Sequence, residues 1–429
     1  MAIASGNLAL AIIGVITAGV VIVVATVSIY MCTKVVMKSS SQEYMGNQRR
    51  TAYGGGGGGS SSQRSRSRHR GCDADVEMGS MSHFIEGLQN ERPVRFNAQQ
   101  VRGFTDNYAH KIGSGGFGVV YRGSFPSSGV AVAVAVKVLN STLGKCAEEQ
   151  FMAEVGTIGR TYHINLVRLY GFCFDAEVKA LVYEYMDKGS LDRYLFDPNP
   201  SCSRKFIGFE KLHEIAVGTA KAVRYLHEEC AQRIIHYDIK PENVLLSGEE
   251  MAPKVSDFGL AKLCDREVTH LTITGARGTP GYAAPELWTP MPVTHKCDVY
   301  SYGMLLFEVL GRRRNLQLGV HGGRDQSQEW YPRWVWNRFE AGEMEAVLAR
   351  ATAASGGKEM REKLAERVCK VALWCVQYRP EDRPSMGDVV RMLEGEDHIA
   401  APCNPFAHLA PYSAAVTAEM DGSSARAKR

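Results

Sequence analysis

Between Ile234 and Gly259 the chain sets His236, Asp238, Lys240, Asn243 and Asp257 among Ile234, Ile235, Ile239, Val244, Leu245, Leu246 and Val255. Two carboxylates, an amide and a lysine bracketed by apolar strands are expensive to hold near a core unless metal and phosphate compensate them. An amphipathic helix is expected just before this run, over Lys211–Glu229, with Leu212, Ile215, Val223 and Leu226 facing inward. Such a chain must build a polar pocket against a packed core, and structural needs alone explain that pocket poorly.

Upstream, His110-Lys111-Ile112 leads into Gly113-Ser114-Gly115-Gly116-Phe117-Gly118 and then Val119-Val120-Tyr121. A GxGxxG turn that holds a dinucleotide opens a helix, whose N-terminus takes the pyrophosphate. Here the β-branched run after Gly118 predicts a second strand, so the glycines form a hairpin lid whose backbone can close over phosphates. The next strand, from Val130, alternates strictly, with Ala131, Ala133, Ala135 and Lys137 on one face and valines on the other. A flat base suits the space over Ala135, with the Lys137 ammonium reaching its phosphates; a strand-end lysine in solvent is the plainer alternative. In the following helix Phe151, Val155 and Ile158 recur at helical spacing and face the sheet. Glu154 flanks that stripe, either turned inward to Lys137 or solvated.

The 23 residues from Leu8 to Tyr30 carry no charge. As a helix they span about 35 Å, enough for the hydrocarbon core of a bilayer. A cleaved signal peptide is the alternative, but basic residues normally precede its shorter apolar region, and none do here. Between Lys34 and Arg70 stand eight basic residues and one acid, a local +7 in a chain whose formal net charge is +4. Basic flanks stay cytoplasmic. The expected layout is a short extracellular N-terminus over 1–7, a transmembrane helix over 8–32, and a disordered, basic, Gly/Ser-rich juxtamembrane linker over 33–105. The anionic inner leaflet of the membrane is the simplest partner for this linker, and a merely solvated linker is the plainer alternative. Because the basicity belongs to this one segment, a globular nucleic-acid groove is not expected, and nucleic acid is not a partner. Eleven singly scattered cysteines with no CxxC pair predict a reduced chain rather than a disulfide scaffold. The Ala/Ser-rich residues 397–429 are expected to form a disordered tail.

In order along the chain, Gly113/Gly115/Gly118, Val134-Ala135-Val136-Lys137, Glu154, His236-x-Asp238-x-x-x-x-Asn243, Asp257-Phe258-Gly259 and Ala284-Pro285-Glu286 resemble the motif set of eukaryotic protein kinases. The resemblance implies an α+β, bilobal kinase fold over 106–396, with a β-rich N-lobe and a helical C-lobe, behind the N-terminal transmembrane helix. It implies ATP and Mg²⁺ as cofactors and Ser/Thr of protein substrates as acceptors. The ATP-binding set carried over is Ile112, Gly113, Ser114, Gly115, Gly116, Phe117, Gly118, Val119, Val120, Ala135, Lys137, Glu154, Tyr183, Glu184 and Met186. In it the glycines cover the phosphates, Lys137 holds two of them and is held by Glu154, Tyr183 is the gatekeeper, and Glu184 and Met186 form the hinge facing adenine. The catalytic set is Asp238, Lys240 and Asn243, with Asp238 accepting or orienting the substrate hydroxyl proton; Asn243 and Asp257 are the metal ligands. Asp298 is implied as the anchor of the catalytic loop, and Arg383 as the buried partner of Glu286.

Lys240, with Gly278-Thr279-Pro280-Gly281-Tyr282, resembles serine/threonine rather than tyrosine kinases. The anchored layout, Leu166 to Cys173 and Leu181 to Met186 resemble plant receptor-like kinases. Arg92 to Phe96 and Ser327 to Pro332 resemble the leaf-rust-resistance and thaumatin-like receptor kinase group. That implies a single-pass plasma-membrane protein with a cytoplasmic kinase domain, a co-receptor as partner, and defence signalling. The chain departs from the pattern at Tyr237, where many kinases carry Arg before the catalytic Asp. That Arg normally meets a phosphorylated activation loop, so switching through phosphate on Thr272, Thr274 or Thr279 is not expected here. Only seven residues precede the anchor, which fits a receptor lacking its own sensor or an incomplete gene model. The competing reading on the same fold is a pseudokinase-like membrane scaffold; its usual mark is loss of the Lys, the catalytic Asp or the metal Asp, and all three residues are present. An RNA-binding protein reading through the Arg/Ser run lacks a stacking module.

Overall fold

Strict alternation decides the first half of the fold. In the strand Val130–Leu139 the side chains of Val134 and Val136 are wholly buried on one face, and Ala135 and Lys137 turn to the other. The computed structural model describes residues 93–409 apart from 117, 128–129, 141–144, 197–206, 268–276, 290, 317–329 and 350–357. The apolar segment 8–32 and Thr272 and Thr274 lie outside the described residues, and among those described no helix is long and apolar enough to cross a membrane.

Six strands form the first sheet: β1 (Val94–Phe96), β2 (Lys111–Gly115), β3 (Gly118–Ser127), β4 (Val130–Leu139), β5 (Leu169–Phe174) and β6 (Lys179–Glu184), in the order β1-β5-β6-β4-β3-β2. All neighbours are antiparallel except β1, which runs parallel to β5 at the edge. Helix α1 (Ala98–Phe104) follows β1, and α2 (Lys145–Thr157) follows β4. On α2, Phe151 and Val155 are buried as the spacing predicts, while Ile158, also buried, starts a separate 3-10 turn.

The linker expected over 33–105 is corrected at its end, because Val94–Phe96 and Ala98–Phe104 are ordered parts of this sheet. The cause is local chemistry. Asn97 caps α1 in a full capping box with Gln100, and the Ala98 N–H donates to the Asp175 carboxylate at 2.8 Å. Phe96, Phe104 and Phe125 close into a three-ring cluster with centroids 5.0 to 5.9 Å apart. Together with Val101, Val134, Val136, Ala180 and Val182 they make a second apolar core on the sheet face away from α2. Gly171 is required where β1 crosses β5, since a Cβ there would sit 2.2 Å from the Val94 carbonyl oxygen and 2.4 Å from the Phe96 ring.

The second half is helical: α3 (Asp192–Leu195), α4 (Phe209–Arg224), α5 (Lys296–Gly311), α6 (Tyr331–Glu340), α7 (Met344–Leu348), α8 (Lys358–Cys375) and α9 (Met386–Glu394). Leu212, Ile215, Val223 and Leu226 are buried as the helical pattern requires, but α4 ends at Arg224 and passes into a five-residue π-turn, Tyr225–Glu229. Helix α5 is buried from Cys297 to Gly311 and serves as the central post. Short strands complete this half: β7 (Gly189–Ser190), β9 (Val244–Ser247) and β10 (Ala252–Val255) in one sheet, with β10 packed on α4, and β8 (Arg233–Ile235) and β11 (Lys262–Cys264) in another. The Arg383 guanidinium forks onto Glu286 at 2.6 and 2.8 Å with both side chains fully buried. Removing either partner would leave an uncompensated buried charge. The disordered tail expected from 397 is also corrected at its start. Trp374 Nε1 donates to the Ala400 carbonyl, Gln377 Nε2 to that of Cys403, and Phe406 is buried against Trp330.

Candidate functional site

The two halves enclose a cleft of about 740 Å³. Its roof is the β2–β3 hairpin, where the glycine run closes a turn rather than opening a helix. Gly118 is required there, because a Cβ would meet the Val138 carbonyl oxygen at 2.2 Å. Ile112, Gly113, Ser114, Gly115, Gly118, Val120, Ala135, Lys137, Glu154, Tyr183, Glu184, Met186, Asn243 and Asp257 line the cleft. Gly116, Val119, Asp238 and Lys240 are not on its wall, Val119 being turned away by its alternation with Val120, and Phe117 lies outside the described residues. Val167, Ser190 and Leu245 also line it. Their apolar or small side chains at strand ends gave no separate signal in the sequence.

Lys137 stands at the centre of the charge arrangement. Its Nζ donates to Glu154 at 2.6 Å and to Asp257 at 2.8 Å. Burial works to lower the lysine, but the Glu154 and Asp257 carboxylates outweigh it and hold the ammonium well above the ordinary lysine range. Burial likewise works to raise Asp257, and Lys137 reverses the sign, keeping its carboxyl below the usual range. Glu154 accepts three donors, since Gln150 Nε2 reaches the same oxygen as Lys137 at 3.0 Å and the Tyr183 hydroxyl donates to the other. Neither the Gln150 bond nor the Tyr183 bond is legible in the sequence, where the resemblance marks Tyr183 as the gatekeeper without pointing to Glu154 as its partner.

Below the cleft the loop after β8 carries Asp238. Its backbone is fixed from beneath: the Asp298 carboxylate accepts the N–H groups of His236 and Tyr237, both at 2.8 Å, and His227 Nε2 lies at 2.8 Å. Against its full burial, these bonds hold Asp298 below the ordinary carboxylate range. Asn243 Nδ2 donates to the Asp238 carbonyl at 2.8 Å and to its carboxylate at 2.9 Å. Lys240 Nζ donates to Asp238 at 2.8 Å and to Thr279 Oγ1 at 2.7 Å, and Thr279 donates to the other Asp238 oxygen at 2.5 Å. Aspartate, lysine and threonine therefore form a closed triangle beside the cleft. Tyr237 and Asp257 both take left-handed backbone, φ 66° and 63°. For residues with a side chain this costs of order 1 kcal/mol each, a cost that tertiary bonds must offset.

Tyr237 does not hang into solvent. It is 2% exposed, its hydroxyl has no hydrogen-bond partner among the described residues, and burial pushes the phenol up. The Arg277 guanidinium lies 6.0 Å from its ring centroid and donates to the Leu260 carbonyl at 3.2 Å. The ring thus supports the chain at Arg277 by its π face.

A nucleoside triphosphate with Mg²⁺ fits what is present. No group of three or more His, Cys, Asp or Glu among the described residues could hold a metal on its own. Asp257 and Asn243 face the cleft as two oxygen-bearing side chains. Mg²⁺ characteristically takes one or two protein ligands and completes its shell with phosphates and water.

A family profile described as protein tyrosine and serine/threonine kinase matches residues 107–393. Among curated relatives, PR5-like receptor kinase of Arabidopsis thaliana is 40% identical over 315 residues, covering 73% of this chain and 45% of that protein. Rust resistance kinase Lr10 of Triticum aestivum is 40% identical over 337 residues, covering 78% of this chain and 50% of that protein. A G-type lectin S-receptor-like serine/threonine-protein kinase of Arabidopsis thaliana is 44% identical over 317 residues, covering 73% and 34%. The chain thus spans half or less of the length of these relatives. With its glycine hairpin, its buried lysine pair and its Asp238 triangle inside the matched span, the chain belongs to the protein tyrosine and serine/threonine kinase family, on the receptor-like branch with the PR5-like and leaf-rust-resistance kinases.

Proposed function

We propose that the protein is a membrane-anchored kinase that transfers the γ-phosphate of ATP to Ser/Thr of protein substrates in receptor signalling. The observation that carries this reading is the closed triangle of Asp238, Lys240 and Thr279 beside the paired Lys137 and Glu154. In it Asp238 takes or orients the acceptor hydroxyl's proton, and Lys240 keeps a positive charge beside the carboxylate that receives it. Asn243 fixes the Asp238 rotamer and, with Asp257, holds Mg²⁺. The Gly113–Gly118 backbone covers the phosphates, Lys137 neutralises them, and Ala135, Tyr183, Glu184 and Met186 bound the base. When bound, ATP and Mg²⁺ supply the transferable phosphoryl group and a charge that offsets it; positioning and neutralisation are the greater part of such catalysis. Support for an enzyme over a scaffold comes from Lys137, Asp238 and Asp257 all being present and joined to partners.

The apolar run 8–32 would anchor the protein, with the +7 flank keeping the kinase domain on the cytoplasmic side of the plasma membrane. Protein substrates, a co-receptor and the membrane are the partners of this reading. Its test is mass spectrometry of phosphosites after the full chain is incubated with ATP and Mg²⁺. Phosphate on Ser/Thr is expected for the wild type, with at least about a hundredfold loss in Asp257→Asn, at little cost to thermal stability, and in Lys137→Met, which also lowers stability because it leaves the buried Glu154 without its ion-pair partner. Undiminished autophosphorylation in either variant would overturn the proposal.

A further inference from the structure

Helix α5 ends at Gly311 and is followed by three arginines. Arg312 takes left-handed backbone, φ 48°, and its guanidinium donates to the Ile207 carbonyl at 2.5 Å. Asn315 is buried, its N–H donating to Glu308 at 3.0 Å and its Nδ2 to the Met304 carbonyl at 2.8 Å. Between these two anchors Arg314 has little freedom. Its Nη1 donates to Glu242 at 2.6 Å and lies 3.3 Å from the Tyr282 hydroxyl, while the guanidinium covers the Phe196 ring at 3.9 Å. Tyr282 in turn donates to Glu308 at 2.6 Å.

The place of this corner relative to the acceptor site follows from chain connectivity. Glu242 is four residues beyond Asp238 on the same loop and lines the cleft, and its Oε2 has no hydrogen-bond partner among the described residues. Tyr282 is three residues beyond Thr279, which bonds Asp238, and its N–H returns to the Thr279 carbonyl at 3.1 Å. A peptide presenting a hydroxyl to Asp238 therefore lies between these two segments, with a flanking side chain at the corner they share. Glu242 would offer that side chain a negative charge if Arg314 did not already answer it. Burial also raises Glu308 to about 7, so near neutral pH this second acid carries only part of its negative charge.

We propose that Arg314 is a specificity-determining residue: it neutralises Glu242 from within the chain, so that the substrate position beside the acceptor is read without preference for a basic side chain. The inference rests on the reading of Asp238 as the acceptor-binding carboxylate. Removing the guanidinium exposes one carboxylate to the substrate, and a partly solvated charge pair is worth roughly three- to fivefold in binding or rate.

The test uses the full chain with ATP, Mg²⁺ and a set of alanine-background serine peptides in which a single Arg or Glu is walked through each flanking position. For the wild type the kcat/KM ratio of Arg to Ala peptides should stay near one throughout. In Arg314→Gln it should rise roughly three- to fivefold at one flanking position, while the all-alanine peptide is phosphorylated within about twofold of the wild-type rate. Arg314→Lys should behave as wild type, and Arg314→Gln/Glu242→Gln should return to a ratio near one. Glu242→Gln alone, which leaves Arg314 unanswered, should favour Glu at that same position, an arm that stands even where Arg314→Gln does not fold. Ratios unmoved in both single variants, or an Arg preference that survives in the double variant, would overturn the proposal. Transfer to the all-alanine peptide with unmoved ratios overturns this inference alone; no transfer by the wild type overturns the reading of Asp238 and this inference with it.

Discussion

Thr279 is held by the two groups to which the proposed function assigns the acceptor, Asp238 at 2.5 Å and Lys240 at 2.7 Å, through an unmodified hydroxyl. A hydrogen bond to a charged partner is worth about 1.5–3 kcal/mol, so Thr279→Ala should lower kcat roughly ten- to hundredfold, and Thr279→Ser should recover most of it. Thr272→Ala and Thr274→Ala should stay within a few-fold of wild type, because Tyr237 offers no guanidinium to a phosphate on either residue. Steady-state kinetics of the four variants after phosphatase treatment would decide this; collapse of the Thr272 or Thr274 variant would mean that another basic residue fills the role. Glu308 carries a second prediction. Burial raises its carboxyl to about 7, with the Tyr282 and Asn315 bonds and Arg314 working the other way and Glu242 adding to the rise. The folded state thus keeps a proton that the unfolded chain releases near 4.5. Stability from that proton is whole below about pH 4.5 and is lost as pH rises through 7, about 3 kcal/mol in all. Denaturant unfolding of wild type and Glu308→Gln at pH 4.5 and pH 8 should show the gap between them change by that amount, and a pH-independent gap would refute it.

At the scale of elements, β1 and α1 extend the N-terminal sheet. Phe96 is 9% exposed and touches Phe104 and Phe125. Phe→Ala in such a cluster costs about 3 kcal/mol, so Phe96→Ala should lower Tm by about 5 °C or more and speed amide exchange over Val94–Phe104. Unchanged Tm and exchange would mean that the pair is only loosely docked. These elements also mark what the sequence left illegible. The glycine hairpin, the β4 alternation and the loop from His236 to Asp257 were readable because each needs particular residue types at fixed local spacing. Val94–Phe104 was read as linker because three alternating residues and one helix of two turns are too short to outweigh a Gly/Ser-rich background. The Tyr183 bond to Glu154 and the Arg314 bond to Glu242, the latter 72 residues apart, were invisible for a different reason. Tertiary contacts at that separation leave no periodic trace.

For the whole molecule the proposed anchor predicts that the kinase domain faces the cytoplasmic side of a membrane. Protease treatment of sealed vesicles, carrying the protein with a C-terminal tag, should remove the tag only when the cytoplasmic face is outward. A shielded tag in that orientation would reverse the topology, and release of the protein by carbonate would argue against an integral anchor. The parallel pairing of β1 with β5 bears on how the protein can be handled. The family match begins at 107, and a version cut there would lose Val94–Phe104. It would carry a kinase sheet whose β5 backbone donors and acceptors stand open along one edge, beside the uncovered Phe125, Tyr170 and Val182. An unpaired strand next to an apolar face is a template for pairing between molecules. Such a version is expected to self-associate in solution, as light scattering beside the longer chain would show, and Val94–Phe104 would then act as a built-in solubiliser of the sheet.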